Sequence, residues 1–512
     1  MSVLSRRSFL GGATLGAAAL AGSPIAAFAS TKVPAKWDET TSFLIIGTGF
    51  AGLAAALEAH GLGMKANEIM VVDKMPSPGG NSIINGGAVA AAGTDMQKAE
   101  GIEDNPDLLY SDILKAGGGI AHPSLARRIA DESVENFYWL RDNIRVKFTA
   151  VTFHGGHSVK RSHAVTNNSG SGFINPMLAK LKEYGIEPRL RTIVDEIIVD
   201  DKNCVLGVKA RVNYRYGREK SGKVTYIRAT KGVLLASGGF SQNVKMRMSH
   251  DPRLTEAFGS TNHPGATGEM IQEAQMIGAN TIHMDWIQMG PWTSPDEQGF
   301  GLAPLFVESA IGYGPMIDPA NAQRFIQESG NRKVRADAIV AMGHPAVIYT
   351  TLKNAETAII GKNMTKELYD RAVKNGVIKV YPDLKAMADD LKIPFDALKK
   401  TNDTFNGYIK DQKDPDFNCM MFKNAVPNVE GPFLAVRLWP RVHHTMGGLE
   451  INDQAQVLDV RGNPIQCLYA AGEVTGGVHG MVRLGTVAVA DCMIFGRIAA
   501  RTANACKGCG TN

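Results

Sequence analysis

The strongest constraint on this chain lies in residues 41–73. Thr41-Ser42-Phe43-Leu44-Ile45-Ile46 is a short run of apolar and β-branched residues. It feeds Gly47-Thr48-Gly49-Phe50-Ala51-Gly52, then a helix-forming stretch from Leu53 to His60, then the apolar run Ile69–Val72 ending on Asp73. This order predicts strand, GxGxxG turn, helix, strand and acid, the dinucleotide-binding unit. Gly47 permits the tight turn, Gly49 lets the backbone approach a pyrophosphate, and Gly52 lets helix and strand pack closely. The helix N-terminus then faces the phosphates, and Asp73 sits where a carboxylate can accept from ribose hydroxyls. The motif alone fits FAD and NAD equally well.

Later glycine segments separate the two. A flavin ring lies far from its adenosine and needs a long cradle. Ser237-Gly238-Gly239 and Ala470-Ala471-Gly472-Glu473-Val474-Thr475-Gly476-Gly477 are both strand-to-turn elements suited to line it. Residues 107–147 read as helical and 190–235 as strands broken by turns, with helices again at 365–374 and 383–411. Nucleotide-binding signals at both ends of the chain predict an α/β fold. Its expected form is a discontinuous Rossmann-like FAD-binding domain, 38–240 and 356–512, with an α+β capping domain, 241–355, inserted.

Residues 1–29 read as a twin-arginine export signal. Ser5-Arg6-Arg7-Ser8-Phe9-Leu10 precedes a weakly apolar stretch broken by Pro24, and Ala27-Phe28-Ala29 forms a small-x-small cleavage site. That stretch is too short for a spanning helix, and no later one is long and apolar enough. The expected location is therefore the periplasm, with no membrane span after signal removal. A net charge of +5, two charges of which fall in the signal, is too small and scattered for a nucleic-acid partner. Six cysteines include Cys506-Lys507-Gly508-Cys509, whose CxxC spacing lacks the following His of a c-type haem site. With no second CxxC to complete a zinc site, a local disulfide or an inert tail is expected and no metal.

Over residues 41–502 the chain resembles the soluble flavoprotein fumarate reductases and their relatives, including urocanate and acrylate-type reductases. GTGFAGLAAA, PGGNS, ASGGF, TNHPGATGEM, RFIQESGNR, HHTMGG and AAGEVTGGVHG with its following RLG carry the resemblance. It implies FAD contacts at Gly47, Gly49, Gly52, Asp73, Asn81, Ser82, Gly87 and Glu473. It also implies contacts from the backbones of Ala488 and Val489. Ala51, Lys74, Gly80 and Gly86 fall in the same segments and are expected in that site with Ser237, Gly238, Gly239 and Gly472. Membrane-bound relatives attach FAD through a His where Gly80 stands here, so the resemblance implies non-covalent FAD.

Reduction of an activated C=C needs a carboxylate clamp, a hydride donor and an acid for the second carbon. His443 and Arg483, 40 residues apart, match the family's substrate-carboxylate pair in spacing. Of the adjacent His443 and His444, His443 is taken as the ligand-facing one. Arg332 matches the family's proton donor, and Glu308 its relay carboxylate. A free Arg is a poor acid, with a pKa above about 12, so that role requires a desolvated site.

The departures from the family are informative. The residues that hold a second carboxylate are replaced by Gly290 and Val307, and the relay arginine by Ile311. Trp286, Met289 and Trp292 lie nearby in sequence, as ordinary core or as an apolar pocket wall. Thr486 and Val487 replace Gly and Asn beside the flavin. The expected substrate is thus a small unsaturated carboxylate with one carboxyl group, such as acrylate, methacrylate or a cinnamate, reduced in anaerobic respiration. Fumarate and urocanate are alternatives. So is a ketosteroid-like flavin dehydrogenase, for which Tyr313 is the candidate acid/base group, or a non-catalytic flavin carrier. Without CxxCH on the chain, a separate periplasmic cytochrome c is the expected electron donor.

Overall fold

In β1 (Glu39–Ile46) and β2 (Ile69–Val72) almost every side chain is buried beyond the first residues, which suits strands covered on both faces. They pair in parallel, and β1 also pairs in parallel with the long strand Lys223–Leu235. The strand Pro464–Ala470 joins the other edge of Lys223–Leu235, again in parallel. A chain segment some 230 residues downstream thus completes the first sheet. The computed structural model describes residues 32–362 and 364–509; the expected export signal lies outside them. Gln456–Leu458 extends this seven-stranded sheet at one edge, and the antiparallel strands Thr192–Val199 and Val205–Val212 branch from Lys223–Leu235.

Helix α1 (Phe50–Gly61) is buried along most of its length because the C-terminal helix Val487–Ala505 lies across it. Gly496 makes that crossing possible, since a Cβ there would sit 2.3 Å from the Ala51 carbonyl oxygen. The architecture is the α/β arrangement expected, but the inserted domain has different limits. Apolar residues of 241–290, such as Met246, Met270 and Ile287, share one core with Ile45 and Val233. Separate apolar clusters are confined to residues between Trp292 and Leu438. There an antiparallel sheet runs Gln323–Arg324, Met316–Asp318, Ala346–Thr351, Phe433–Leu438, Lys379–Tyr381. The expected boundary at 355 fails because Phe433–Leu438 pairs with Ala346–Thr351 along its whole length. The helices between them, read as part of the nucleotide-binding domain, belong to the cap. The cap is also tied to the larger domain by the short pair Ile287–Gly290 with Arg441–Thr445.

One buried ion cluster supports the site from below. Arg161 is fully buried and bonds Asp104 at 2.8 and 3.0 Å and Asp112 at 2.7 Å. Asp112 also accepts from the backbone and hydroxyl of Ser158, anchoring the loop that carries His154 and His157. Arg161→Met leaves two buried carboxylates without their cation, a loss of about 3–5 kcal/mol. Urea unfolding of the FAD-loaded protein is expected to show it as a lowered midpoint with unchanged slope.

Candidate active site

The turn after β1 forms the floor of a long cleft. Gly47 has φ +118°, and a Cβ there would lie 2.2 Å from the Ala236 carbonyl oxygen. Gly52 lies on that turn, with the Gly47 carbonyl 2.0 Å from its would-be Cβ. Gly49 faces Ser82, whose hydroxyl accepts from the Phe50 amide at 3.0 Å. Thr48, through its amide and hydroxyl, and the Met75 amide all donate to the Asp73 carboxylate, at 2.5–3.0 Å. Asp73 therefore lines the cleft and also locks the turn in shape. Lys74 lines it too, its ammonium held by Thr267 and Glu269.

Further along the wall come Ala51, Gly80, Asn81, Ser82, Ser237, Gly238, Gly472 and Glu473. Asn81 bridges the His263 amide and the Glu473 carboxylate. Burial pushes the Glu473 carboxyl up, against the Thr445 and Asn81 hydrogen bonds and the charge of Arg483. The Ser237 hydroxyl is buried without a partner, as a ligand-facing group would be before its ligand arrives. With open backbone turns, a helix N-terminus and this hydroxyl along one cleft, the residues present fit FAD.

Not every glycine expected there reaches the cleft. Gly239 and Gly52 act by packing, Gly239 because Thr445 Oγ1 and Glu473 crowd its Cβ position. Gly86 has no atom within 4 Å of its would-be Cβ, and at Gly87 (φ +66°) a Cβ would lie 2.2 Å from the Ser169 amide. Ala488 and Val489 occupy the partly exposed first turn of the C-terminal helix, outside the cleft wall.

At one end of the site three cationic or imidazole side chains converge from distant segments. His443 lies on the strand Arg441–Thr445, Arg332 opens the cap helix Arg332–Met342, and Arg483 precedes the C-terminal helix. Burial and the charges of Arg483 and Arg332 hold His443 neutral, well below the usual imidazole range. Burial and Arg332 draw Arg483 down to about 10, and burial likewise lowers Arg332. Thr261 Oγ1 contacts His443 Nδ1 at 2.8 Å. His444 turns the other way, toward Glu473 and His479. Trp292 forms the wall: its ring lies edge-on to His443 at 5.5 Å, and the Arg332 guanidinium sits 5.0 Å above it.

The substituted positions are now interpretable. A Cβ at Gly290 would touch the Trp292 indole at 3.3 Å, so Trp292 takes the room above Gly290. Val307 and Ile311 are buried in the cap core with Trp292 and Phe306. Met289 belongs to the core of the larger domain, and Trp286 lies beside Lys333. Tyr313 stacks on Phe422 and donates to Asn424, inside the cap, so it is no acid/base group for a ring substrate. Glu308 is nearly half exposed and bonds the buried Arg335 at 3.0 Å.

Sequence reading missed four residues. Thr261 lies inside TNHPGATGEM, a block that carries the family resemblance. Arg335 follows Arg332 by one helical turn, a spacing that the cap helix makes meaningful. His154 feels the charges of Arg332, Arg483 and Glu308, and its Nδ1 is buried without a partner. Gln288 is fully buried with both amide atoms unpaired, beside His444 across the strand pair.

Residues 42–489 match the FAD binding domain family. The chain is 40% identical over 506 residues to the acrylate reductase flavoprotein subunit of Shewanella woodyi, covering 98% of each. It is 34% identical to the urocanate reductase of Eggerthella lenta, over 90% of this chain and 74% of that one. Among solved structures, a flavocytochrome c3 fumarate reductase in its open conformation superposes with a TM-score of 0.76 at 32% identity, over 91% of this chain and 78% of that one.

Two outcomes follow from the geometry. Gly47→Ala sets a Cβ into a backbone oxygen at positive φ, and FAD content, read as the ratio of flavin to protein absorbance, is expected to fall at least about tenfold. Burial also lowers His154, His157 and His163, each to about 4. Below the ordinary imidazole value of about 6.5 the unfolded chain takes up protons that the folded chain refuses. Unfolding free energy is therefore expected to fall as pH drops from about 6.5 to about 4, by at most about 1.4 kcal/mol per pH unit for each of the three.

Proposed function

The chain belongs to the FAD binding domain family, and from that premise we propose that it reduces the C=C bond of a small 2-enoate bearing one carboxylate. It is an FAD-dependent oxidoreductase of the group that acts on carbon–carbon double bonds. Bound FAD supplies the hydride at its N5; the chain binds and orients the acid and delivers a proton.

The substrate carboxylate is held between Arg483 and His443. Arg offers a planar fork to a carboxylate. The Thr261 hydroxyl holds His443 through Nδ1, which leaves Nε2 to face the substrate. Arg332 stands across Trp292 and protonates the carbon that does not receive hydride. Its burial, and the charge of Arg335, make it a stronger acid than a solvated guanidinium. Arg335 fixes Glu308 at the solvent edge, and Glu308 returns the proton to Arg332. That pairing substitutes for the relay arginine whose position is Ile311.

The observation that carries this reading is Trp292 lying over Gly290 between His443 and Arg332. It leaves room for one carboxylate clamp and fills the place of a second. Acrylate then fits better than a dicarboxylate or a bulky cinnamate. The Shewanella woodyi relative, an acrylate reductase flavoprotein subunit, supports the same class. Its description as a subunit supports an electron donor on a separate protein, for which a small cytochrome c is suited. The twin-arginine segment supports a periplasmic site of action, in anaerobic respiration.

The test is oxidation of reduced viologen by purified FAD-loaded protein with acrylate, methacrylate, cinnamate, urocanate or fumarate. Acrylate is expected to give the highest kcat/KM, and fumarate as the best substrate overturns the reading. Arg332→Ala is expected to cost about 10²–10⁴-fold in kcat with FAD retained, the range for loss of a positioned acid. Trp292→Ala is expected to raise KM for acrylate and to admit larger 2-enoates.

A further inference from the structure

Four of the six cysteines meet at one place, far apart in sequence. Cys204 opens the strand Val205–Val212, Cys467 lies in Pro464–Ala470, and Cys506 and Cys509 follow the C-terminal helix. The sulfurs of Cys204, Cys467 and Cys509 all lie within 4.8 Å of one another. Cys509 Sγ is 3.2 Å from Cys467 Sγ, and Cys506 Sγ is 3.6 Å from Cys467 Sγ. Cys204 and Cys509 touch sulfur to sulfur as a disulfide pair, their Cα atoms 6.2 Å apart.

The chain is built to hold this knot. Cys467 takes a left-handed backbone (φ +61°) inside a strand, a conformation rare for a side-chain-bearing residue. Gly508 (φ +80°) turns the tail so that both CxxC sulfurs face the sheet, and a Cβ there would strike the Thr230 carbonyl at 2.2 Å. The Gly508 amide donates to Cys506 Sγ at 3.3 Å, and the Cys509 backbone donates toward Cys467. Lys231 holds the end of the preceding helix through the Asn504 carbonyl.

Two disulfides satisfy sulfurs in pairs. Here Cys467 packs against two sulfurs, and amides donate to sulfur on two of the four residues. In a tetrahedral thiolate site with metal–sulfur distances of about 2.3 Å, the sulfurs stand about 3.8 Å apart, close to the 3.2 and 3.6 Å contacts above. We infer that Cys204, Cys467, Cys506 and Cys509 bind one divalent, thiolate-preferring metal ion, with zinc the best match to four sulfurs. The ion takes the four cysteines as thiolates: each thiol of the reduced chain releases one proton to bind it, and a chain oxidised at Cys204–Cys509 binds it only after a dithiol reductant has opened that bond with two electrons. The ion ties the tail to the strand Pro464–Ala470, which leads into the cleft residues Ala471 and Gly472. Loading before export suits a route that carries folded proteins.

Full-length FAD-loaded protein is the sample. Metal analysis by plasma mass spectrometry is expected to find about one zinc or iron per chain. Four cysteines should resist a thiol reagent until a mercurial displaces the ion. The double variant Cys506→Ser/Cys509→Ser should lose the metal, keep FAD and viologen turnover, and unfold at a lower temperature. A metal-free protein lighter by four hydrogens, as two disulfides require, overturns the inference. So do a metal-free protein with one disulfide or with freely reactive thiols, and a double variant that keeps its metal.

Discussion

The structure depends on how closely three backbones approach at the turn after the first strand. Gly47 lies against the Ala236 carbonyl, Gly52 on the Gly47 carbonyl, and Gly496 against Ala51. No side chain fits in any of these contacts. They bring a strand, its helix and the last helix of the chain to one point, and the cleft opens there. Asp73 then spends its carboxylate on the turn, holding Thr48 and Met75 in place. A cofactor pyrophosphate would meet a turn already fixed in shape, so little order has to be created on binding.

The second constraint is where the cap meets this frame. His443 and Gly290 lie on the two short strands that join the domains, and Arg332 opens a cap helix beyond them. Side chains from both domains thus face each other across a junction only a few residues wide. The substitutions around Gly290 act together. Loss of a side chain at 290 admits Trp292, and Trp292 is held by the cap core with Val307 and Ile311. Nearby, Arg335 reaches Glu308 from the helix of Arg332, where Ile311 offers no charge.

Much of this was legible in the residues. The GxGxxG unit is local, and its strand–turn–helix form follows from glycine freedom and apolar spacing within some 30 residues. FAD was legible from glycine segments at the far end of the chain, read as strand-to-turn elements. The cap boundary was not legible. Residues 366–411 carry ordinary helical patterns, and nothing local says which core they cover. That is decided by the pairing of Phe433–Leu438 with Ala346–Thr351.

The sequence by itself determined the nucleotide-binding unit, the flavin, the family and the set of residue types that handle a carboxylate, because each is written in short segments with fixed spacing. Only the tertiary structure decided which groups meet. It put Thr261 on His443, His154 near Arg332 and Arg483, Arg335 on Glu308, and Cys204, Cys467 and Cys509 together with Cys506 beside Cys467. Each of those contacts joins segments whose encounter depends on how sheets and helices pack around shared cores. Packing couples distant residues through burial, and burial leaves no pattern in the residues between them.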